Sequence, residues 1–272
     1  MRKADAAAAI LPILGIIALW QAAAASGLVP AFMLPGPLRV LAALRDDRLL
    51  LAGHLLRTLA EAGAGLALAL GAGFLLALLM DSSGLAKRAL HPLLLLTQTM
   101  PTIALAPLLI LWMGYGSAPK ITLVFLTCFF PLTLGLAGAF AQADEDALRL
   151  LRSMGASRAQ LYRYIKIPSS APAFFSALRV SSSYSIIGAV VAEWLGGEAG
   201  LGVYMIRVRK SYSFDRMFAA ILVVTLLSLA LVKIVGLVEK AAMPWKDSAI
   251  PNLTTDHTEH TDKRKRQERT DL

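Results

Sequence analysis

The sequence lacks several features that would mark an enzyme or an ATP-hydrolysing protein. It has one cysteine, Cys128, so no disulfide can form within the chain. It has no G-x4-G-K-[S/T] phosphate loop, so any ATP chemistry has to be carried out by a separate chain. Its apolar runs contain no nucleophile–base pair and no cluster of metal ligands, and His257 and His260 have no neighbouring ligand pattern. Neither a membrane enzyme nor a metal site is therefore predicted.

Acidic residues are also scarce within the apolar runs, and the runs do not repeat. Secondary transporters are often built from internal repeats and carry carboxylates inside the membrane. These features argue against an ATP-independent secondary transporter or channel, which stays open only as an alternative function. The net charge of +9 is read as a sign of membrane topology, because Lys and Arg collect on the cytoplasmic side. No nucleic-acid partner is predicted.

Apolar residues are abundant: 57% of the chain is hydrophobic and the mean hydropathy is +0.62. Soluble domains are usually about 45–50% apolar, so the composition indicates a membrane protein. A helix needs about 20 apolar residues to cross a bilayer. Six transmembrane helices are predicted, and the class is all-α: Ala6–Ala25, Leu55–Met80, Leu90–Met113, Ile121–Ala141, Ala171–Leu195 and Met217–Val238.

Two of these predicted spans have distinctive sequences. The first follows basic residues and ends in small ones, as a signal peptide does, but its length and the further spans favour an uncleaved helix. The third is interrupted by Pro92, Pro101 and Pro107, which predicts a kinked or broken helix.

The distribution of basic residues predicts that both termini are cytoplasmic. The loops Asp81–Ala89 and Gln142–Ser170 would then be cytoplasmic, although the opposite loops also carry Arg and Lys. Three regions are predicted: 1–50 with the first helix and an external loop, 51–245 with the remaining transmembrane domain, and 246–272. The last region is charged and poor in apolar residues, so we expect a disordered tail.

The loop 142–170 has the signals of an ordered structure. The acids Asp144 to Asp146 favour a helix start, and Gly155 suits a helix end because it tolerates positive φ. Ser157 and Gln160 form a capping box for a second helix. A plain connecting loop and a DNA-binding helix-turn-helix are the alternative interpretations of these signals. The segment is better read as a helix that fits a groove on a cytoplasmic partner.

Four sequence stretches resemble one family. Gly155, nine residues and then Ile165-Lys166-Ile167-Pro168 match the G-x9-I-x-L-P core of the EAA loop of permeases in binding-protein-dependent ABC importers. "PTIALAPLLILWMGYGSAPK" (101–120), "CFFPLTLGL" (128–136) and "VVAEWLGGEAGLGVYM" (190–205) resemble permeases of the nitrate/sulfonate/taurine type. The resemblance covers about residues 50 to 245.

The resemblance implies a type I ABC importer permease of the bacterial plasma membrane, with residues 51–245 as its transmembrane domain and the loop as its coupling helix. It implies three protein partners: an ABC ATPase, a periplasmic or lipoprotein substrate-binding protein, and a second permease copy, as a homodimer in lipid. The chain itself would be no enzyme and bind no cofactor, because ATP and Mg would lie on the ATPase.

The resemblance also implies which residues couple the permease to its ATPase. The family often has Glu six residues before the Gly, whereas this chain has Arg149, so a salt bridge from that Glu is in doubt. The implied coupling residues are Gly155, Ala156, Ser157, Leu161, Ile165, Ile167 and Pro168.

Polar groups inside a span are costly and are candidates for a transport pathway. The candidates here are Gln98, Met100, Arg179, Ser183, Tyr184 and Glu193. Ser and Thr can equally join helices, Arg179 could pair internally, and Glu193 could gate or cap. Arg57 and Glu61 are read as a structural pair. The segment Gly196–Asp215 is either a landing surface for the binding protein or an ordinary interfacial helix.

The sequence leaves two classes of substrate open. Proteins of the resembling group handle small organic anions, such as sulfonates, nitrate or taurine, or else thiamine-precursor pyrimidines and riboflavin. The stretches "WMGYG" and "EWLGGEAGLGVYM" are slightly closer to the pyrimidine branch, which is an analogy and not a site argument.

Overall fold

The computed structural model of the chain describes residues 3–27, 29–30, 32–99 and 101–244. Every regular element within these residues is helical, so the predicted all-α class is confirmed. The helices are α1 (Lys3–Ala25), α2 (Pro37–Asp46), α3 (Arg48–Ser82), α4 (Gly84–Thr99), α5 (Thr102–Met113), α6 (Ala118–Ala141), α7 (Glu145–Ser153), α8 (Arg158–Leu161), α9 (Ile167–Gly196), α10 (Leu201–Lys210) and α11 (Phe214–Ala242). A wider π turn, Tyr162–Lys166, joins α8 to α9.

The chain divides into two compact units, Met1–Val235 and Gly236–Leu272. The first unit contains α1 to α10 and most of α11. The described part of the second is the end of α11 and the two residues after it. The tail 246–272, predicted to be disordered, lies outside the described residues, and the predicted three-part division stays a prediction.

Within the described residues, four continuous helices are long and apolar enough to cross a bilayer: α3, α6, the joined helix Arg158–Gly196 and α11. They contain the second, fourth, fifth and sixth predicted spans. α4 and α5 qualify together as a fifth, although they are bent by 96°. At the first predicted span, the apolar helix Leu14–Ala25 is shorter than the roughly 20 residues that a crossing needs. The count of six therefore stays a prediction.

The third predicted span is broken, as its prolines indicated. α4 ends at Thr99 and α5 begins at Thr102, so the break falls beside Pro101. Proline lacks a backbone donor and collides with the preceding turn of a helix. Pro92 and Pro107 nevertheless lie inside α4 and α5, so the sequence did not show which proline would end the helix.

The centre of the first unit is the packing of α3, α6 and α9 against one another. Small residues on α3 allow this close approach: Ala62, Ala69 and Ala77 are completely buried. A Cβ added to Gly65 would lie 2.6 Å from Cβ of Val124 and 2.8 Å from the carbonyl oxygen of Ile121. Lipid provides no hydrophobic drive for helices to associate, so such close backbone contact is an important source of stability.

α3 connects the two ends of this bundle. His54, near its start, lies beside the segment that begins α10, and Asp81, near its end, lies beside the π turn. The end that carries α10 is called the far end below, and the end that carries α7 and α8 is called the loop end.

Gly65→Ala should destabilise the protein, because the new methyl group would collide with Val124 and with backbone. Overpacking typically costs about 1–3 kcal/mol. The matched control is Gly63→Ala on the same helix, where a Cβ meets nothing within 4 Å. Alanine favours helix there by up to about 1 kcal/mol. Thermal unfolding in detergent measures both, and equal melting temperatures would contradict the account of the packing.

Candidate coupling loop and transport pathway

The loop 142–170 has the two-helix structure that its sequence predicts. The carboxylate of Asp144 accepts hydrogen bonds from the backbone N–H groups of Asp146 (2.9 Å) and Ala147 (3.2 Å), and so caps α7. Glu145 and Asp146 in the first turn also suit the positive end of the helix dipole. A strong local signal in the sequence therefore sets where α7 begins.

Gly155 ends α7 with φ of +83°, a conformation that residues with a Cβ rarely adopt. The N–H of Gly155 donates to the carbonyl of Arg152, and the N–H of Ala156 donates to that of Leu151, both at 3.0 Å. This is the Schellman arrangement of a helix C-terminus. The predicted role of Gly155 as the helix end is confirmed.

The predicted capping box starts α8. The Ser157 hydroxyl accepts from the N–H of Gln160 at 3.4 Å, and Gln160 Oε1 accepts from the N–H of Ser157 at 2.7 Å. Two helices thus meet at a short turn whose backbone N–H groups, from Met154 to Ser157, donate to acceptors within the loop itself. Such a turn can keep its shape while its outer surface contacts another protein.

Arg149, which stands where the family often has Glu, forms an ion pair with Glu145 instead. Nη2 of Arg149 lies 2.9 Å from Oε2 of Glu145, one helical turn away, and both side chains are exposed. Exposed pairs of this kind contribute little to stability. The departure from the family pattern therefore leaves the fold of α7 intact.

The implied coupling residues occupy different depths. Gly155, Ser157 and Ile167 are exposed, whereas Ala156, Ile165 and Pro168 are half-buried. Leu161 differs, because only 7% of its surface is exposed and it faces the protein's own interior. The docking contact that the resemblance implies for Leu161 is therefore not supported by its position, although the side chain can hold α8 in place from behind.

This loop also exposes apolar side chains that the family resemblance did not identify as coupling residues. Met154 is 74% exposed beside Gly155, and Leu150 and Tyr164 are also exposed. The helical spacing of α7 could have identified Leu150 and Met154, because the opposite position, Leu148, is buried. The loop therefore presents an apolar surface on either side of the glycine turn.

A pocket of about 310 Å³ lies where the broken helix approaches α6 and α9. Its lining residues are Thr97, Thr102, Leu126, Thr127, Phe130, Pro131 and Tyr184. The hydroxyls of Thr97 and Thr127 donate to backbone carbonyls of their own helices, so their lone pairs can still accept hydrogen bonds. The lining residues that the structure describes offer hydroxyls and two aromatic rings but no charged side chain.

Of the six predicted pathway residues, Tyr184 lines this pocket. Ser183 is half-buried, and Arg179 is exposed; neither is among the residues that line the pocket. Met100 lies outside the described residues, and so does the side chain of Gln98. Thr102, Thr127 and Phe130 were missed, because a single Thr or Phe in a span gives no signal of its own.

Glu193 lies at the far end, away from the pocket. Only 1% of its surface is exposed, and its carboxylate accepts from the hydroxyl of Thr58 (2.7 Å) and the N–H of Gly202 (2.6 Å). Thr58 in turn accepts from the N–H of Leu201 at 2.8 Å, and His54 Nδ1 accepts from that of Gly200 at 2.9 Å. These bonds provide acceptors for the backbone N–H groups at the start of α10. The pathway role predicted for Glu193 is therefore not supported by this position.

A second buried acid lies nearby. Oε1 of Glu61 is 3.0 Å from both Nε of Arg57 and Nζ of Lys120. The pairing of Arg57 with Glu61 follows the sequence prediction, whereas Lys120 was missed because it is 59 residues away. A buried lysine almost always has a partner, so its burial is explained by Glu61.

The segment Gly196–Asp215, predicted to be a landing surface or an interfacial helix, is largely buried along α10. Tyr204 donates to the carboxylate of Asp47 at 2.6 Å. Burial, together with this bond, raises the pKa of Tyr204 above its usual value, so the phenol keeps its proton. Only the side chains of Arg207, Arg209 and Lys210 project outward from α10. The exposed side chains of α10 therefore form a narrow basic edge.

Comparison with known proteins agrees with this architecture. The family model described as "Binding-protein-dependent transport system inner membrane component" matches residues 69–243. The formylaminopyrimidine transport permease protein ThiX of Halalkalibacterium halodurans is 35% identical over 79% of this chain and 86% of its own length. The putative aliphatic sulfonates transport permease protein SsuC of Bacillus subtilis is 28% identical over 86% of this chain and 85% of its own length.

A solved structure gives the same fold. An amino acid ABC transporter crystallised with histidines superimposes with a TM-score of 0.61 at 17% sequence identity, covering 74% of this chain and 97% of that chain. The chain therefore belongs to the family of inner membrane components of binding-protein-dependent transport systems, and it is a multi-pass permease subunit of an ABC importer, a transport component rather than an enzyme.

Proposed function

We propose that this permease carries a small, flat, uncharged solute of the pyrimidine class. The observation behind the proposal is the pocket at the broken helix, where none of the described lining residues carries a charged side chain. Its volume of about 310 Å³ is at the lower end of the roughly 300–1,000 Å³ of small-molecule sites. An anion of the sulfonate kind would be expected to require a cation at hydrogen-bonding distance.

The lining suits a heteroaromatic ring. Phe130 and Tyr184 offer ring faces for stacking, and the three threonine hydroxyls offer polar edges. The start of α5 at Thr102 adds backbone donors that no side chain caps, which suit acceptor atoms on a ring. The relative that transports formylaminopyrimidine is 35% identical to this chain, against 28% for the sulfonate relative, which supports the same choice.

We further propose that the loop of α7 and α8 docks into a groove of the ATPase subunit. Membership of the family implies an ATPase and a substrate-binding protein as partners. The exposed side chains of Leu150 and Met154 beside the glycine turn support a helix-in-groove contact. ATP and Mg would be held by that ATPase, and its closure would push the loop.

The assembly and its orientation are part of the same proposal. Both termini and the loop end would be cytoplasmic, and the binding protein would deliver solute at the far end. A second copy of the chain, as a homodimer, would complete the pathway, and lipid would cover exposed leucines such as Leu68, Leu75 and Leu229. The coupling residues implied by the family motif would contact the ATPase, except Leu161. Leu161 would hold α8 in place from its buried side.

Substrate class is tested by competition in vesicles that contain the complete transporter. Excess formylaminopyrimidine should block uptake of a labelled pyrimidine, and excess taurine should not. Tyr184→Ala should raise KM about tenfold, because stacking on one ring is worth about 1–3 kcal/mol. Tyr184→Phe and Arg179→Gln should stay near wild type. Inhibition by taurine, together with loss of uptake in Arg179→Gln, would instead identify an organic anion.

Docking is tested with Gly155→Val, which should reduce recovery of the ATPase with the purified permease at least tenfold. A β-branched residue is strained at φ of +83°, so the turn would have to change. The matched control is Gly114→Val, because Gly114 has φ of +77° but lies outside the loop. Normal ATPase recovery with Gly155→Val, or equal losses in both variants, would contradict the docking proposal.

A further inference from the structure

Asp81 connects the loop to the membrane-spanning core through two hydrogen bonds to one of its oxygens. Asp81 lies one residue before the end of α3. Its Oδ2 accepts from the hydroxyl of Tyr162 and from Nζ of Lys166, the latter at 2.5 Å. The side chain of Asp81 is 9% exposed and that of Lys166 is 16% exposed, so the ion pair is largely shielded from water.

Both partners of Asp81 belong to the π turn, Tyr162–Lys166, which joins the short docking helix α8 to the long helix α9. π turns inside helices are rare and occur frequently at functional sites. Here the wider turn carries the two donors that meet Asp81. The contact therefore lies at the point where movement of the loop would enter the membrane-spanning part.

Aromatic packing makes this junction stiff. The Tyr162 ring meets Phe140 of α6 edge-on, with centroids 6.1 Å apart, and Phe140 meets Phe74 of α3 edge-on at 6.3 Å. The Lys166 ammonium lies 5.2 Å from the centre of the Tyr162 ring. Displacement of the π turn would therefore act on α3 and α6 together.

Asp81 also balances the charge of the junction. It lines a cleft of about 330 Å³ together with Arg152, Arg158 and Lys166, and it is the acidic residue in that lining. Without its charge, three cations from α7, α8 and the π turn would face one another. Their repulsion would favour separation of the loop from α3.

We propose that Asp81 is a positioning residue for energy coupling, which fixes the loop to α3 so that a push from the ATPase opens the pathway. This rests on the proposed docking of the loop. The ATPase would still bind without Asp81, because the glycine turn and the apolar surface beside it are intact. Without Asp81, movement of the loop would no longer displace α3 and α6, so ATP hydrolysis would not drive transport.

The experiment compares ATP hydrolysis and solute uptake in proteoliposomes that hold permease, ATPase and binding protein. Asp81→Ala should keep the ATPase bound in normal ratio and hydrolysing ATP, while solute moved per ATP falls at least tenfold. Tyr162→Phe loses one of the two hydrogen bonds, so the solute moved per ATP should fall less in this variant than in Asp81→Ala. Asp46→Asn is the control, since it removes an exposed acid at the far end.

Reversing the pair separates coupling from a merely structural role. In Asp81→Lys with Lys166→Asp the ion pair re-forms with opposite polarity, and solute moved per ATP should recover to at least half of wild type. An unchanged ratio in Asp81→Ala and Tyr162→Phe would overturn the proposal, as would a fall that the reversed pair does not repair. Failure of wild-type permease to retain the ATPase would instead overturn the docking proposal itself.

Discussion

Close contact between α3, α6 and α9 is the constraint on which the rest of the molecule depends. Lipid surrounds these helices, so their association relies on backbone approach and on polar links rather than on exclusion of water. The alanines and Gly65 of α3 provide that approach, and a single added methyl group would meet Val124 and a carbonyl of α6. Polar contacts then fix both ends of α3: Thr58 with Glu193 at the far end, and Asp81 with the π turn at the loop end.

This arrangement suits a permease subunit of an ATP-driven importer. The loop end offers a preformed turn, because Asp144, the Schellman bonds and the capping box provide acceptors for its backbone N–H groups. The far end is fixed by a buried carboxylate that holds the start of α10. The pocket that we propose for the solute lies between the two ends, at the break in the third span, and its described lining offers hydroxyls and aromatic rings.

Features of the loop were predictable because they depend on residues close in sequence. Asp144, Gly155 and the pair Ser157–Gln160 each act over at most a few positions, so local rules identify them. The links at both ends were not predictable, since Lys120 meets an acid 59 residues away and Lys166 meets one 85 residues away. Glu193 was also not predictable. Its place in a predicted span suggested a role in the pathway, but its carboxylate accepts from the N–H of Gly202 in α10, which follows later in the chain.

Covalent capture can show whether the turn at Gly155 contacts an ATPase, as we propose. A photo-crosslinking phenylalanine analogue placed at Met154, which is 74% exposed beside the turn, is activated in native membranes. We expect a single protein adduct, identified by mass spectrometry as an ATPase subunit, and none from the same analogue at the exposed position Leu229 of α11. Adducts at Met154 with lipid alone, or with a protein that is not an ATPase, would show that this turn does not dock on an ATPase.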